Sequence, residues 1–228
     1  MFKKVPSKDE LEDVLANSYL NAAPGTDGIT SLLYHEHWDT LGDSLHEVTC
    51  AIWKGEKTTA SQRTSLMVFG TKPSKSKSIL PGDKRRISLM NADIKMVSGL
   101  KAARFRSTQT RTLHHNQLVA GENRRIHHGI NKARDLIQSI SKTRKGCALL
   151  DLDYIAAFDF TVFEWVFSVL RKKGLAEEVI SCIKNIYESR ITSCQQCDWE
   201  DNRGTLAQGC PSSMNWFGYV SGSPGFLY

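Results

Sequence analysis

Two aspartates, Asp151 and Asp153, are spliced into an apolar run between Gly146 and Phe160. They alternate with Leu150 and Leu152. On a strand, residues two apart share a face, so both acids point one way and both leucines the other. A carboxylate at the end of an apolar strand is costly unless it is paired or holds a cation. The pattern predicts a strand that delivers an acid to a metal. An edge strand whose acids face water is the plainer alternative. Ala157, Phe158 and Asp159 then turn the chain toward a helix.

The second feature is charge. The chain has 228 residues and a net charge of +6. Residues 72–145 hold 18 Lys and Arg against four acids, a local charge of +14, which leaves −8 on the rest. A basic block of this length predicts a surface for a polyanion. Its bland counterpart is a set of solvated helix faces. The paired His114-His115 and His127-His128 read as members of that basic face, since adjacent histidines diverge around a helix and rarely chelate together. Six cysteines without a secretory leader read as reduced thiols. Cys194 and Cys197 form one Cys-x-x-Cys pair, with no second pair at zinc spacing. No run is long enough to span a bilayer, and an intracellular location, cytoplasm or nucleus, is the expectation.

Elements must position these residues. Ser7 and Glu10 form a capping box that opens a helix to about Leu20. Residues 21–28 read as a loop by their Pro, Asp and Gly content. Helices follow at about 30–40 and 43–55, broken at Leu41-Gly42. A short strand runs from Ser65 to Gly70, a basic loop covers 71–83, and Ile87 to Met90 is strand-sized. Helices are predicted over about 92–107, basic on one side, and over 127–142. The Gly146 strand comes next, then a helix stopped by Gly174, another from about Ala176 to Arg190, and a strand pair over 191–206. A Gly-containing loop to Pro211 leads into a helix over 212–219. The class is α/β (α+β).

Four pieces stand in order: Pro24-Gly25-Thr26-Asp27-Gly28, then Arg85 to Asn91, then Asp153-x4-Phe158-Asp159, then Gln208-Gly209-Cys210-Pro211-Ser212. In that order they resemble the reverse transcriptases of non-LTR (LINE-type) retrotransposons, over about Ser7 to Tyr219. The resemblance implies the fingers and a partial palm of a right-hand polymerase, with helix-rich fingers over 1–145, palm over 146–219 and an irregular tail over 220–228. It implies Mg²⁺, or Mn²⁺ in its place, with dNTP, an RNA template and a DNA primer as partners, and no membrane.

The same resemblance assigns roles. Asp153 matches the first catalytic acid and metal ligand, with the backbone carbonyl of Tyr154 as a further ligand and Asp151 as the runner-up. Phe158 matches the aromatic residue beneath the incoming sugar, where a ring leaves no room for a 2′-hydroxyl. Arg85 and Lys72 match the triphosphate contacts, and Gln208 and Gly209 the loop against the nascent base pair. Asp27 and Gly28 belong to a block that organises the fingers. Lys101, Arg104, Arg106, Arg124 and Arg125 are the expected nucleic-acid contacts. This sequence departs from the pattern at three places. Arg86 stands where proline is usual, Ala207 where arginine is usual, and no Tyr-x-Asp-Asp follows Ser212. One carboxylate cannot hold two magnesium ions. The expectation is therefore a polypeptide that does not polymerise as it stands, with a non-catalytic nucleic-acid-binding module or a retroelement relic as alternatives.

Overall fold

The computed structural model describes residues 4–75, 77, 80–114, 116–118, 123–143, 146, 148, 153, 157–188, 190–194, 200–201 and 204–221. Ser7 caps α1 (Lys8–Ala16): its hydroxyl accepts from the Glu10 amide at 3.2 Å, and the Glu10 carboxylate accepts from the Ser7 amide at 2.9 Å. This is the reciprocal box that the sequence predicts. The helix stops four residues early, at Asn17, whose side chain donates to the Asp13 carbonyl at 2.7 Å and competes with the next turn. Helices α2 (Ser31–Glu36) and α3 (Trp38–Lys54) break at His37, not at Leu41-Gly42. Gly42 stays helical because the Trp38 ring packs there; a Cβ would lie 3.0 Å from it.

A one-turn helix α4 (Ala60–Arg63), which no sequence pattern predicted, leads into β1 (Thr64–Thr71). Strand β2 (Lys84–Leu89) returns antiparallel to β1, with Phe69 opposite Arg86 and Gly70 opposite Arg85. Helices α5 (Ala92–Thr112), α6 (Ile126–Thr143), the single turn α7 (Ala157–Phe160), α8 (Phe163–Lys172) and α9 (Glu177–Tyr187) follow. Then come β3 (Ile191–Cys194), β4 (Glu200–Asp201) and α10 (Ser213–Ser221). The sheet order is β2-β1-β3-β4, with β3 parallel to β1 and β4 antiparallel to β3. The long crossover from β1 to β3 is what a parallel pair requires.

The larger core joins Ile94, Val97 and Phe105 of α5 to Val166 and Leu170 of α8, Ile180 and Ile183 of α9, and Trp216 and Tyr219 of α10. It therefore spans position 145, the expected boundary between fingers and palm. Phe105 meets the Trp216 ring edge-on at 4.6 Å. A second cluster, Leu11, Leu15, Leu45, Ala92 and Met96, seats α1 and α3 on the start of α5. Each such side chain contributes on the order of 1.5–3 kcal/mol by leaving water. Helix α6 is different: its apolar residues Ile126, Ile130, Leu136 and Ile137 are all exposed.

Candidate functional site

Strand β2 is where the motif blocks meet. Asn91, two residues past its end, is buried and receives the first block. Its Oδ1 accepts from Thr26 Oγ1 at 3.3 Å and from the Asp27 amide at 3.5 Å. Its Nδ2 donates to the carbonyl and the hydroxyl of Ser61, at 3.2 and 3.0 Å. Gly25 lies against the same residue so closely that a Cβ would sit 2.4 Å from the Asn91 amide nitrogen. The block 24–28 is thus fixed by Asn91, the last residue of the Arg85–Asn91 block.

The Gln-Gly block docks on the middle of the same strand. The Gln208 carbonyl accepts from the Ser88 amide at 2.7 Å, and Ile87 and Gln208 form a parallel bridge. Gly209 has φ +109°, and a Cβ there would lie 2.5 Å from the Ser88 carbonyl oxygen. Close backbone approach is the reason for a glycine at this position, and here the approach is to β2. The chain entering this block, residues 204–206, is stitched to the start of α8. The Phe163 amide donates to the Gly204 carbonyl at 2.8 Å, and the Leu206 amide to the Thr161 carbonyl at 3.0 Å.

The third block reaches β2 through an ion pair: Arg86 Nη2 lies 2.9 Å from Asp159 Oδ2, with both side chains mostly shielded. Phe158, one residue earlier, is half-buried, its ring 5.3 Å from that of Phe217. Lys72 donates to the Gly82 carbonyl at 3.1 Å, closing the loop between β1 and β2, while Arg85 is exposed opposite Gly70. Asp153 is exposed. Asp151, Tyr154 and most of the predicted Gly146 strand lie outside the described residues, as does Cys197. Among the described residues no three His, Cys, Asp or Glu side chains gather to hold a metal. As described, Asp153 alone does not make a two-ion magnesium site.

The basic block divides, and two of the five expected nucleic-acid contacts are corrected. Lys101 is 0% exposed, its ammonium on the Cys182 carbonyl and 5.6 Å from the Trp53 ring centre. Burial holds its pKa below the ordinary lysine value. Arg104 is also buried, its guanidinium stacked on Trp53 at 4.8 Å and paired with Glu10 at 2.6 Å. Helix α5 turns both inward because α1, α3 and α9 cover that side, so neither faces a polyanion. Arg106 and Arg125 are exposed. Arg124 is half-buried and caps the end of α5, donating to the carbonyls of Leu113, His114 and Gln117 at 3.1, 2.6 and 2.6 Å. Arg106 lines a groove of about 980 Å³ with Tyr19, Lys95 and Gly209. Lys101→Met is expected to leave RNA affinity within about twofold of wild type and to hold or raise the melting temperature, since a buried ammonium is traded for apolar packing. Gel-shift and thermal-melt measurements check both.

Sequence reasoning missed a buried polar cluster behind the Gln-Gly block. Ser98 Oγ lies 2.8 Å from Ser212 Oγ and 3.0 Å from Cys210 Sγ. Tyr187 Oη contacts Cys210 Sγ at 2.9 Å and also bonds Ser212. Trp216 Nε1 donates to Ser212 Oγ at 3.0 Å. Burial, then the neighbouring thiol, push the Tyr187 phenol well above its ordinary pKa, so it stays protonated. These contacts anchor residues 210–212 to α5, α9 and α10. The only hint in the sequence is the polar pair Cys210 and Ser212 beside apolar helices.

A relative supplies independent context. The chain is similar to a transposon protein. It is 29% identical, over 211 residues and 90% of its length, to the "Transposon TX1 uncharacterized 149 kDa protein" of Xenopus laevis. It spans 16% of that protein's length. No protein-family model matches the chain. Among the described residues no helix is long and apolar enough to cross a membrane.

Proposed function

We propose that the chain derives from a transposon and carries nucleotide-binding and template-binding surfaces of an RNA-directed DNA polymerase, in the fingers and partial palm of a right-hand fold. The observation that carries this reading is the convergence on β2. Residues from four separated blocks, Gly25, Arg86, Asp159 and Gly209 among them, meet within one strand's length. Such convergence is what a site assembled from separated blocks needs, and solvated loops do not need it. The similarity to a transposon protein over 90% of the chain supports the origin.

The residues divide the work. The cations at the open end of β2 neutralise the charge of a triphosphate. Lys72 closes the loop that presents them. Phe158, held against Phe217, offers a ring edge to the sugar and excludes a 2′-hydroxyl. The Gln208–Gly209 backbone, fixed on Ser88, forms the floor beneath the base. Arg106 and Arg125 hold phosphates of the template or the hybrid duplex. Magnesium or manganese, where bound, would polarise the transferring phosphoryl group.

Equilibrium titration of the purified chain with dATP and with ATP tests the reading. The dATP affinity is expected to exceed that for ATP by on the order of tenfold, and Phe158→Val to narrow the gap. Equal affinities in the wild type would contradict it.

A further inference from the structure

The blocks place an arginine on each face of β2, and only one of them faces the third block. Successive strand residues point to opposite faces. Arg85 is exposed opposite Gly70. Arg86 is opposite Phe69, and its guanidinium reaches Asp159, the residue after Phe158. The face of β2 that meets the α7 turn is therefore the face of Arg86.

We propose that Arg86, and not Arg85, is the hairpin cation that takes a triphosphate, and that Asp159 holds its guanidinium in place for it. This rests on the nucleotide-site reading above. Arginine carries five N–H donors in a rigid fork, so a carboxylate at Nη2 leaves donors for a phosphate oxygen. The pair keeps a solvent-facing side: its side chains are 24% and 18% exposed. A fixed guanidinium loses less rotamer freedom on binding than a free one. The substitution of arginine for the usual proline at this position supplies the cation on the α7 side of the strand.

Isothermal titration of inorganic tripolyphosphate, dATP and ATP into the 228-residue chain decides the matter. Arg86→Gln is expected to weaken tripolyphosphate and dATP by about tenfold, as losing a charged hydrogen bond does. That loss should exceed the loss in Arg85→Gln. In an Asp159→Ala background the same substitution should cost less than about threefold, because the guanidinium is no longer held. If Arg86→Gln does not fold, Arg86→Lys carries the test. It keeps a charge beside Asp159 but lacks the fork, and the affinity should drop severalfold. A larger loss in Arg85→Gln, or wild-type affinity in either Arg86 variant, overturns the proposal. Tripolyphosphate binding that depends on Arg86, without preference for dATP over ATP, supports the phosphate site and overturns the polymerase reading. A wild-type chain that binds none of the three ligands overturns both.

Discussion

Gly209→Ala is expected to destabilise the chain by about 2–4 kcal/mol, from strain at a positive φ together with overpacking. The added Cβ would stand 2.5 Å from the Ser88 carbonyl oxygen, at a φ of +109° that side chains avoid. The neighbour is backbone in the hydrogen-bonded centre of β2, so it cannot rotate away. The remaining route is for the Gln-Gly loop to lift off, which breaks the Ser88–Gln208 bond and exposes Ser88 and Leu206, side chains that are 5% and 1% accessible. A drop in melting temperature of roughly 5–15 °C follows for a chain of this size. Faster hydrogen exchange at the Ser88 amide would place the damage at the docked loop. Gly82→Ala, whose Cβ would meet nothing within 4 Å, is the comparison. Equal melting of Gly209→Ala and wild type would show that the loop does not pack on β2.

Gly25→Ala is expected to cost a similar amount, about 2–4 kcal/mol, for a steric reason alone. Its Cβ would lie 2.1 Å from Asn91 Oδ1 and 2.4 Å from the Asn91 amide nitrogen. The Asn91 side chain cannot turn aside without giving up Ser61 on one side and Thr26 on the other. Each broken hydrogen bond adds about 0.5–1.5 kcal/mol. Urea unfolding should show a lower midpoint with an unchanged slope, the signature of reduced stability in an unaltered transition. Against a total stability of about 5–15 kcal/mol, either substitution removes a large share. A midpoint within error of wild type would remove the first block from β2.

Local chemistry was legible in the sequence; long-range placement was not. Ser7 and Glu10 announce their helix because a capping box is complete within four residues. Gly209 announces a close approach because only glycine tolerates one, yet nothing nearby says that Ser88 is what it approaches. The parallel pairing of β1 with β3 joins Thr64 to Ile191, and no local pattern encodes a partner so distant. Lys101 misleads for a different reason. Lysine is almost never fully buried, so a basic residue on a long helix reads as surface. Its stem is covered by Trp53 and its ammonium meets a carbonyl of α9, neighbours supplied by the fold. The Arg86–Asp159 pair joins two distant segments, and the sequence pattern marked Arg86 only as a departure. Tyr187 carried no signal, because its partners Ser98, Cys210 and Ser212 come from separate segments.

The central claim is that the exposed basic residues bind a nucleic-acid polyanion as part of a polymerase-derived surface. Fluorescence anisotropy of a labelled RNA template annealed to a DNA primer, titrated with the chain across salt concentrations, tests it most directly. The account predicts that log affinity falls linearly with log salt. Arg106→Glu with Arg125→Glu should flatten the slope by about 2, near 0.9 for each phosphate that is no longer neutralised. Affinity that does not change with salt, or a slope that the double charge reversal leaves intact, would contradict it.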